Sequence, residues 1–374
     1  MRIGIVTQSY LPIHGGVAEH AHHTAVELRR RGHDVKIITA YFDRGDENFN
    51  DGVYRIGHDV TIPMNGAFVN ITVGTRLGRQ LREIESAERF DLVHIHSPFE
   101  PVLPMIALRT IRAPKVGTFH SYTERSFGYR ILGSCLRAKI ASRLSARIAV
   151  SSAARDFVSR YFPGEYQIIP NGVDVERFSP AQPPLEKFND GSDNILFVGR
   201  MDPRKGLKYL LQAFPAIVQA CPRARLIIVG GGFLVGYYRR FVKDEIRSRV
   251  FFEGFASAEK LPRYYTTASV YCSPATSGES FGIVLIEALA SGVPVVAFDN
   301  RGYHAILGGD QPAGVLVENK SAGALAQALI QLLQDQQHRV ALGRRGREKA
   351  EQYSWKRVTD QIEAVYRRVL ANRS

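Results

Sequence analysis

The sequence predicts an α/β protein built as two doubly wound domains. Three observations carry that expectation. Short apolar runs of strand character alternate with helical patterns, the arrangement of a parallel sheet covered on both faces. The alternation stops at a stretch rich in Pro, Asn, Asp and Gly, Ser179–Asp193, and restarts at Asn194. A length of 374 residues exceeds one ordinary domain and suits two.

The elements follow in order. Ile3–Thr7 reads as a first strand and Glu19–Arg31 as a helix closed by Gly32, a residue suited to the left-handed turn that ends a helix. Val35–Tyr41, Asp91–His96, Lys115–Phe119 and Arg147–Val150 read as further strands, with helical segments between them. Pro170-Asn171-Gly172 is a turn, and Ser179–Asp193 is expected to link the domains. The second domain opens with the strand Asn194–Val198 and the helix Leu207–Gln219. Arg225–Val229, Val250–Glu253, Val270–Ser273 and Val293–Ala297 continue its sheet, and Trp355–Val369 is a terminal helix. The expected domains are 1–175, joined by 355–374, and 190–354. Two such sheets would place ligand sites at their strands' carboxyl ends; facing each other across a cleft, they would suit a reaction between two bound substrates.

Bulk composition excludes several classes. Hydrophobic residues make up 45%, ordinary for a globular chain. Met1-Arg2 runs directly into an apolar strand, so no signal peptide is expected. No uncharged apolar run reaches roughly 18 residues, so no spanning helix is expected. Cys135, Cys221 and Cys272 are scattered and form no CxxC pair, which argues against a disulfide framework or zinc site and fits a cytoplasmic setting. The net charge is +13, with eleven Lys and Arg between Met105 and Arg160 opposed only by Glu124 and Asp156. Such a patch attracts nucleic acid or an anionic membrane, or is simply a solvated face.

Four segments carry chemistry. In Gly278–Glu287, GESFGIVLIE, the stretch Ser280-Phe281-Gly282 leads into a helix from Ile283. A helix start offers free N–H groups and a positive dipole end to a diphosphate. Glu287, a turn inside, can grip a diol, and Glu279, just before, can reach a sugar; the alternative is an exposed helix with two surface acids. Arg200 and Lys205, in GRMDPRKG, follow the strand ending at Val198 and can offset charge on a departing diphosphate; otherwise they belong to a basic surface loop. Gly15-Gly16 lets the backbone approach a phosphate, although such a pair is more often only a turn, and it is no GxGxxG fingerprint. His120, in GTFHS, stands at a strand's carboxyl end, where a structural histidine is the commoner occupant. His94, His96, His20, His22 and His23 show no metal spacing, and no metal is expected.

Together these motifs resemble the retaining GT-B glycosyltransferases of family four, whose two Rossmann-like domains are crossed by a terminal helix that returns to the first. The likeness spans nearly the whole chain and adds the IPNGVD turn, Ile169–Asp174. Within the family it is similar to phosphatidylinositol mannosyltransferases, through Ile62–Gly66 and GESFGIVLIEA. The resemblance implies transfer of a sugar from a nucleotide sugar, GDP-mannose or a UDP-sugar, with no cofactor and no metal. It implies that Glu279 contacts the sugar and Glu287 the ribose, and that Arg200 and Lys205 hold the diphosphate. Gly16 gives a backbone contact and His120 lies near the reacting sugar. The remaining implied donor residues are Gly15, Phe255, Lys260, Ser280, Phe281, Gly282 and Ile283; the implied acceptor residues are Asn65, Ser121 and Arg125. The chain departs from the pattern at Asn70, where an arginine for inositol phosphate is expected, at Phe99, where an asparagine is, and at Ser257, in place of an acid contacting guanine.

The acceptor follows less directly. Leu132, Leu136, Ile140, Leu144 and Ile148 repeat every four residues among Arg130, Arg137, Lys139, Arg143 and Arg147. A basic amphipathic helix can lie on an anionic bilayer or pack its stripe into a core. The resemblance favours the first, with a lipid head group as acceptor and a peripheral place on the inner face of the cell membrane. The alternatives are a UDP-sugar transferase acting on a soluble sugar or sugar phosphate, a sugar-sensing protein without turnover, and a basic nucleic-acid-binding protein. The last would need base-stacking aromatics among the basic residues, and the patch has few, Phe127 and Tyr129 among them; nucleic acid is not an expected partner.

Overall fold

The structure, a computed structural model, describes residues 1–13, 15–42, 51–64, 67–122, 129 and 134–372, with backbone alone at 61–64, 67–69 and 134–136. The chain divides into two compact units, Met1–Gly172 with Trp355–Ser374, and Val173–Ser354. Unit 1 contains β1 (Arg2–Val6), α1 (Gly16–Arg30), β2 (Asp34–Tyr41), β3 (Val53–Met64), β4 (Ala67–Val73), α2 (Leu77–Glu88), β5 (Leu92–His96), α3 (Leu103–Thr110), β6 (Lys115–Phe119), α4 (Ser134–Ala141), β7 (Ala146–Ala149), α5 (Ser152–Ser159) and β8 (Gln167–Ile168). Unit 2 contains β9 (Asp193–Val198), α6 (Leu207–Ala220), β10 (Ala224–Val229), α7 (Val235–Phe241), β11 (Val250–Gly254), α8 (Lys260–Thr267), β12 (Val270–Ser273), α9 (Ile283–Ala290), β13 (Val295–Phe298), α10 (Arg301–Leu307), β14 (Val315–Val317), α11 (Ala322–Gln334) and α12 (Gln336–Ala350). The last helix, α13 (Trp355–Ala371), belongs to unit 1, as expected of a returning helix.

The sheet of unit 1 runs β4-β3-β2-β1-β5-β6-β7-β8. It is parallel except for β4, which pairs antiparallel with β3 in the register Asp59↔Thr72 to Met64↔Ala67. An antiparallel edge strand on a parallel sheet is a common arrangement. The hairpin is absent from the sequence reading, although Asn65-Gly66 between alternating runs is the strongest short hairpin signal there is. The side-chain period of a strand divides the core: Ile3 and Ile5 of β1 pack with α1 and α13 on one face, Val6 with Ile95 and Phe119 on the other. In unit 2 the order is β11-β10-β9-β12-β13-β14, all parallel. Order therefore reverses between β1 and β5, and again between β9 and β12, and a crevice opens at such a point beyond the carboxyl ends of the strands.

Two expectations fail. Ser179–Asp193 is no linker: it falls within unit 2, and the chain passes between the units at Gly172–Val173 and at Ser354–Trp355. Phe188 is buried, its carbonyl accepts from Asn194 Nδ2 at 2.9 Å, and the Leu185 N–H donates to Thr267 Oγ1 at 2.8 Å. Prolines and polar residues mark irregular backbone, and here that backbone is anchored by two apolar side chains. Nor is Arg125–Ile148 one amphipathic helix. In its described part α4 ends at Ala141, Ile148 lies in β7, and Ile140, Leu144 and Ile148 are all buried in the core of unit 1. Leu132, Arg125 and Arg130 lie outside the described residues, as does the side chain of Leu136. Part of the basic excess is also spent internally. Lys115 is buried and donates to the carbonyls of Ile111 and Ala113, and Arg147 donates to those of Pro163 and Ala141.

Candidate functional site

In unit 2 the loops after β9 and β12 flank the reversal point and carry the predicted ionic residues. Asp202 caps the 3-10 turn Pro203–Lys205, its Oδ1 accepting from the N–H groups of Arg204 and Lys205 at 3.0 and 3.3 Å. Asp followed by Pro is a recognisable helix-start signal, so this residue was legible in GRMDPRKG. The next residue, Gly206, has φ +70°, and a Cβ there would sit 1.7 Å from the carbonyl oxygen of Pro274. Only glycine lets the two loops pack this closely. The consequence is a partly buried ion pair: Lys205 Nζ donates to Glu279 Oε1 at 2.7 Å, with side chains 21% and 13% exposed. Arg200 stands more open, 3.8 Å from Asp202.

Glu287 sits one turn inside α9, and its Oε2 accepts from Tyr265 Oη at 2.8 Å. Tyr265 is wholly buried, and burial, with the charge of Glu287, holds its hydroxyl well above the usual range, so it remains a donor. The helix begins where expected: Gly282 is its N-cap at φ +108°, and a Cβ there would press on the Tyr303 ring at 2.6 Å. Tyr303 Oη in turn pairs with Ser273 Oγ at 2.8 Å. Ser280 and Ile283 border the start of α9, half-buried. Phe281 is different: its side chain is buried against Tyr353, so only its backbone is available to a ligand. Phe255, 82% exposed, lies against Gly231 past β11, and Lys260 opens α8. Tyr265, Tyr303 and Asp202 escaped the sequence reading as site residues; the tyrosines gave no local signal.

In unit 1, Gly15 is the N-cap of α1 and Gly16 its first residue, with open space beside Gly15. His120 and Ser121 follow β6 at its carboxyl end. His120 joins a buried cluster with His20, His94 and His96. The His94 and His96 rings stack at 4.6 Å, as do those of His96 and His120 at 5.1 Å, and His20 stands edge-on to both His96 and His120. His94 binds Tyr366 of α13 and Thr118, each at 2.6 Å, and His20 Nδ1 binds Asn171 at 2.9 Å. Burial lowers the pKa of all four: His20 to about 4, His94 to about 3, His96 and His120 well below the usual value. They are neutral at pH 7.

His96 Nδ1 and His120 Nε2 are 2.8 Å apart, and His96 Nε2 is buried without a partner. A buried orphan N–H is rarer and costlier than an orphan lone pair. We therefore assign the proton to His96 Nδ1, which donates to His120 Nε2. That nitrogen of His120 is engaged, and its ring proton lies on Nδ1. Of the other predicted residues, Asn65 and Arg125 lie outside the described residues. No group of three or more His, Cys, Asp or Glu among the described residues has the geometry to hold a metal ion.

Comparison with known proteins decides the lineage. The profile described as Glycosyltransferase Family 4 matches residues 14–177, and that of Glycosyl transferases group 1 matches 179–349. A phosphatidyl-myo-inositol mannosyltransferase of Mycolicibacterium smegmatis is 35% identical over 99% of this chain and 94% of its own. The chain belongs to glycosyltransferase family 4. The alpha-monoglucosyldiacylglycerol synthase of Streptococcus pneumoniae is also similar, 27% identical over 88% of this transferase and 78% of that protein. The transferase shares its fold with sucrose-phosphate synthase from Thermosynechococcus elongatus, at a TM-score of 0.76 and 21% identity over 99% of both chains. It shares it too with Anabaena HepE solved with UDP and glucose, at a TM-score of 0.73 and 20% identity over 98% of this chain and 99% of that one. The transferase is thus a two-unit GT-B enzyme with the expected Rossmann-like sheets.

Proposed function

We propose that this transferase moves mannose from GDP-mannose to a hydroxyl of a membrane lipid head group, with retained anomeric configuration and without a metal. Unit 2 holds the donor and unit 1 the acceptor. The observation that carries the reading is the Lys205–Glu279 pair at the reversal point of unit 2. A diphosphate competes with Glu279 for Lys205 and recruits the more open Arg200, which turns the Glu279 carboxylate to the sugar hydroxyls. Both cations then stabilise the charge that grows on the leaving diphosphate. Its oxygen takes the acceptor proton on the face where the new bond forms, so neither glutamate acts as a covalent nucleophile. Glu287, oriented by Tyr265, holds the ribose diol. The donor base rests along Phe255 and Lys260.

The lipid-directed activities for which the two relatives are named support a lipid acceptor, and the +13 charge supports peripheral binding to an anionic inner leaflet from the cytoplasm. Among the described residues no helix is long and apolar enough to cross a membrane. A second reading, a UDP-sugar donor, is favoured by Ser257. Its hydroxyl and carbonyl both face the Lys260 N–H at the start of α8, at 3.4 and 3.1 Å, and it offers no carboxylate to the donor groups of guanine.

A thermal-shift panel of nucleotides decides between them, since a ligand raises stability by mass action. Stabilisation by GDP over UDP is expected; the reverse order selects the second reading. Replacing Glu279 with Ala should lower kcat at least about a hundredfold, the scale of losing one transition-state contact, and unchanged turnover would sink the site. Co-sedimentation with anionic vesicles at low salt is the expected membrane behaviour, and its absence removes that part of the proposal.

A further inference from the structure

Unit 1 carries a carboxylate of its own near His120. Glu100 lies in the loop between β5 and α3, and its Oε1 accepts from Ser121 Oγ at 3.2 Å. Ser121 directly follows His120, so the carboxylate stands at the carboxyl ends of β5 and β6, beside the reversal point. It is half-buried, deep among protein atoms while still touching solvent. Its loop is held under strain. Ser97 and Val102 have φ +50° and +69°, a region that a β-branched residue such as Val102 enters only under strain. Such outliers persist only where the surroundings enforce them, and they gather at ligand sites. Here Gln8 is the clamp: its Nε2 donates to the carbonyls of Asn70 at 2.7 Å and Pro101 at 3.4 Å, while its Oε1 accepts from Thr72.

Among the described residues the chemistry of this rim is one-sided. Burial raises the Glu100 pKa, against the hydroxyls of Ser97 and Ser121, which lower it, and among the described residues no Lys or Arg contributes. An ionised carboxylate only accepts hydrogen bonds and matches vicinal hydroxyls. Against a phosphate about 5 Å away it would be repelled by about 3 kcal/mol at an effective dielectric of 20, a factor of about 100 in affinity. Asn70 of β4, whose carbonyl is held by the same Gln8, is uncharged.

We propose that Glu100 sets acceptor specificity: it receives hydrogen bonds from the hydroxyls of an uncharged polyol and disfavours an acceptor that presents phosphate there. The inference rests on the reading of unit 1 as the acceptor side of a family-4 transferase. An uncharged polyol comes from a lipid head or from a free sugar, so both are tested.

The full-length enzyme and its Glu100→Gln and Glu100→Ala variants are assayed with GDP-mannose and UDP-glucose. The acceptors are vesicles bearing monoglucosyl diacylglycerol, vesicles bearing phosphatidylinositol, methyl α-mannoside and mannose 6-phosphate. The unaltered enzyme should prefer the uncharged member of the lipid or the soluble pair, and that pair names the source. Glu100→Gln should narrow the preference at least tenfold, raising KM for the uncharged acceptor and lowering it for the phosphorylated one, with nucleotide affinity by thermal shift unaltered. A preference unchanged in both variants while nucleotide still binds overturns the inference and leaves the transferase reading intact. So does an unaltered enzyme that prefers phosphorylated acceptors, which decides the matter even if the variants do not fold. Failure to bind any nucleotide or transfer to any acceptor removes both.

Discussion

Tyr265 and Glu287 show how one neutral hydroxyl organises a charged group. The carboxylate has two oxygens, and Tyr265 occupies Oε2, which fixes the plane that the other presents. A hydrogen bond to a charged group contributes roughly 1.5–3 kcal/mol. Tyr265→Phe keeps the ring in its buried site and removes only the bond, so the donor KM should rise about tenfold, the lower end of that range, with kcat little changed. Steady-state kinetics at saturating acceptor measure this, and an unchanged KM would mean that Glu287 does not depend on Tyr265. Lys205 and Glu279 differ in kind. Truncating either leaves a partly buried charge alone, so their variants report more than one lost contact.

At the scale of the element, α13 decides whether unit 1 is complete. Val358, Ile362, Val365 and Tyr366 are essentially inaccessible and pack with Ile3, Ile5 and Leu28. Its polar edge is also tied down, with Arg31 reaching Asp360 at 2.9 Å and Glu363 at 3.0 Å. Burial raises the pKa of Glu363, but hydrogen bonds from Arg367, Arg31 and His33 outweigh it and bring the value to about 2. Ile362→Ala should lower the unfolding free energy by about 3 kcal/mol, as for other large-to-small core changes. Denaturant unfolding reads this directly, and a loss below about 0.5 kcal/mol would show that α13 is not part of the cooperative core. Trp355, the first residue of α13, lies edge-on to His20, so the helix that completes the core also walls the histidine cluster.

For the whole molecule, that cluster sets an acid limit. The folded pKa values of His20 and His94 are about 4 and about 3, below the unfolded value of about 6.5. The unfolded chain therefore binds more protons in that interval, and stability rises with pH across it. The contribution is complete above about pH 6.5 and is lost as pH falls towards 4, by roughly 3 kcal/mol for His20 alone. Glu363 follows at lower pH, its share present above about pH 4.5 and lost as pH approaches 2. Urea midpoints between pH 7.5 and 4.5 should fall steadily, and His94→Gln, with one titrating group fewer, should flatten the slope. A flat profile for the unaltered protein would contradict the burial argument.

Much of this was legible along the chain because its causes are local. Apolar runs locate most of the strands, though not β3, β4, β8 and β14, Gly282 and Ile283 mark the start of α9, and GRMDPRKG followed by GESFGIVLIE marks in order the two loops at the reversal point of unit 2. The pattern of the terminal segment gave only a helix; its return to the first unit, where α13 lies, was implied by the family resemblance. Propensity, capping and dipole effects act over a few residues, so one sequence suffices to read them. What only the tertiary structure decided depends on strand order. Lys205 meets Glu279 across 74 positions because β9 and β12 are neighbours. His96 meets His120 and Ser121 meets Glu100 because β5 lies beside β6. The stripe through Ile140 and Leu144 could have faced lipid or core, and the supposed linker could have been free; both packed inward, because apolar side chains without a local partner find one wherever the sheet brings it.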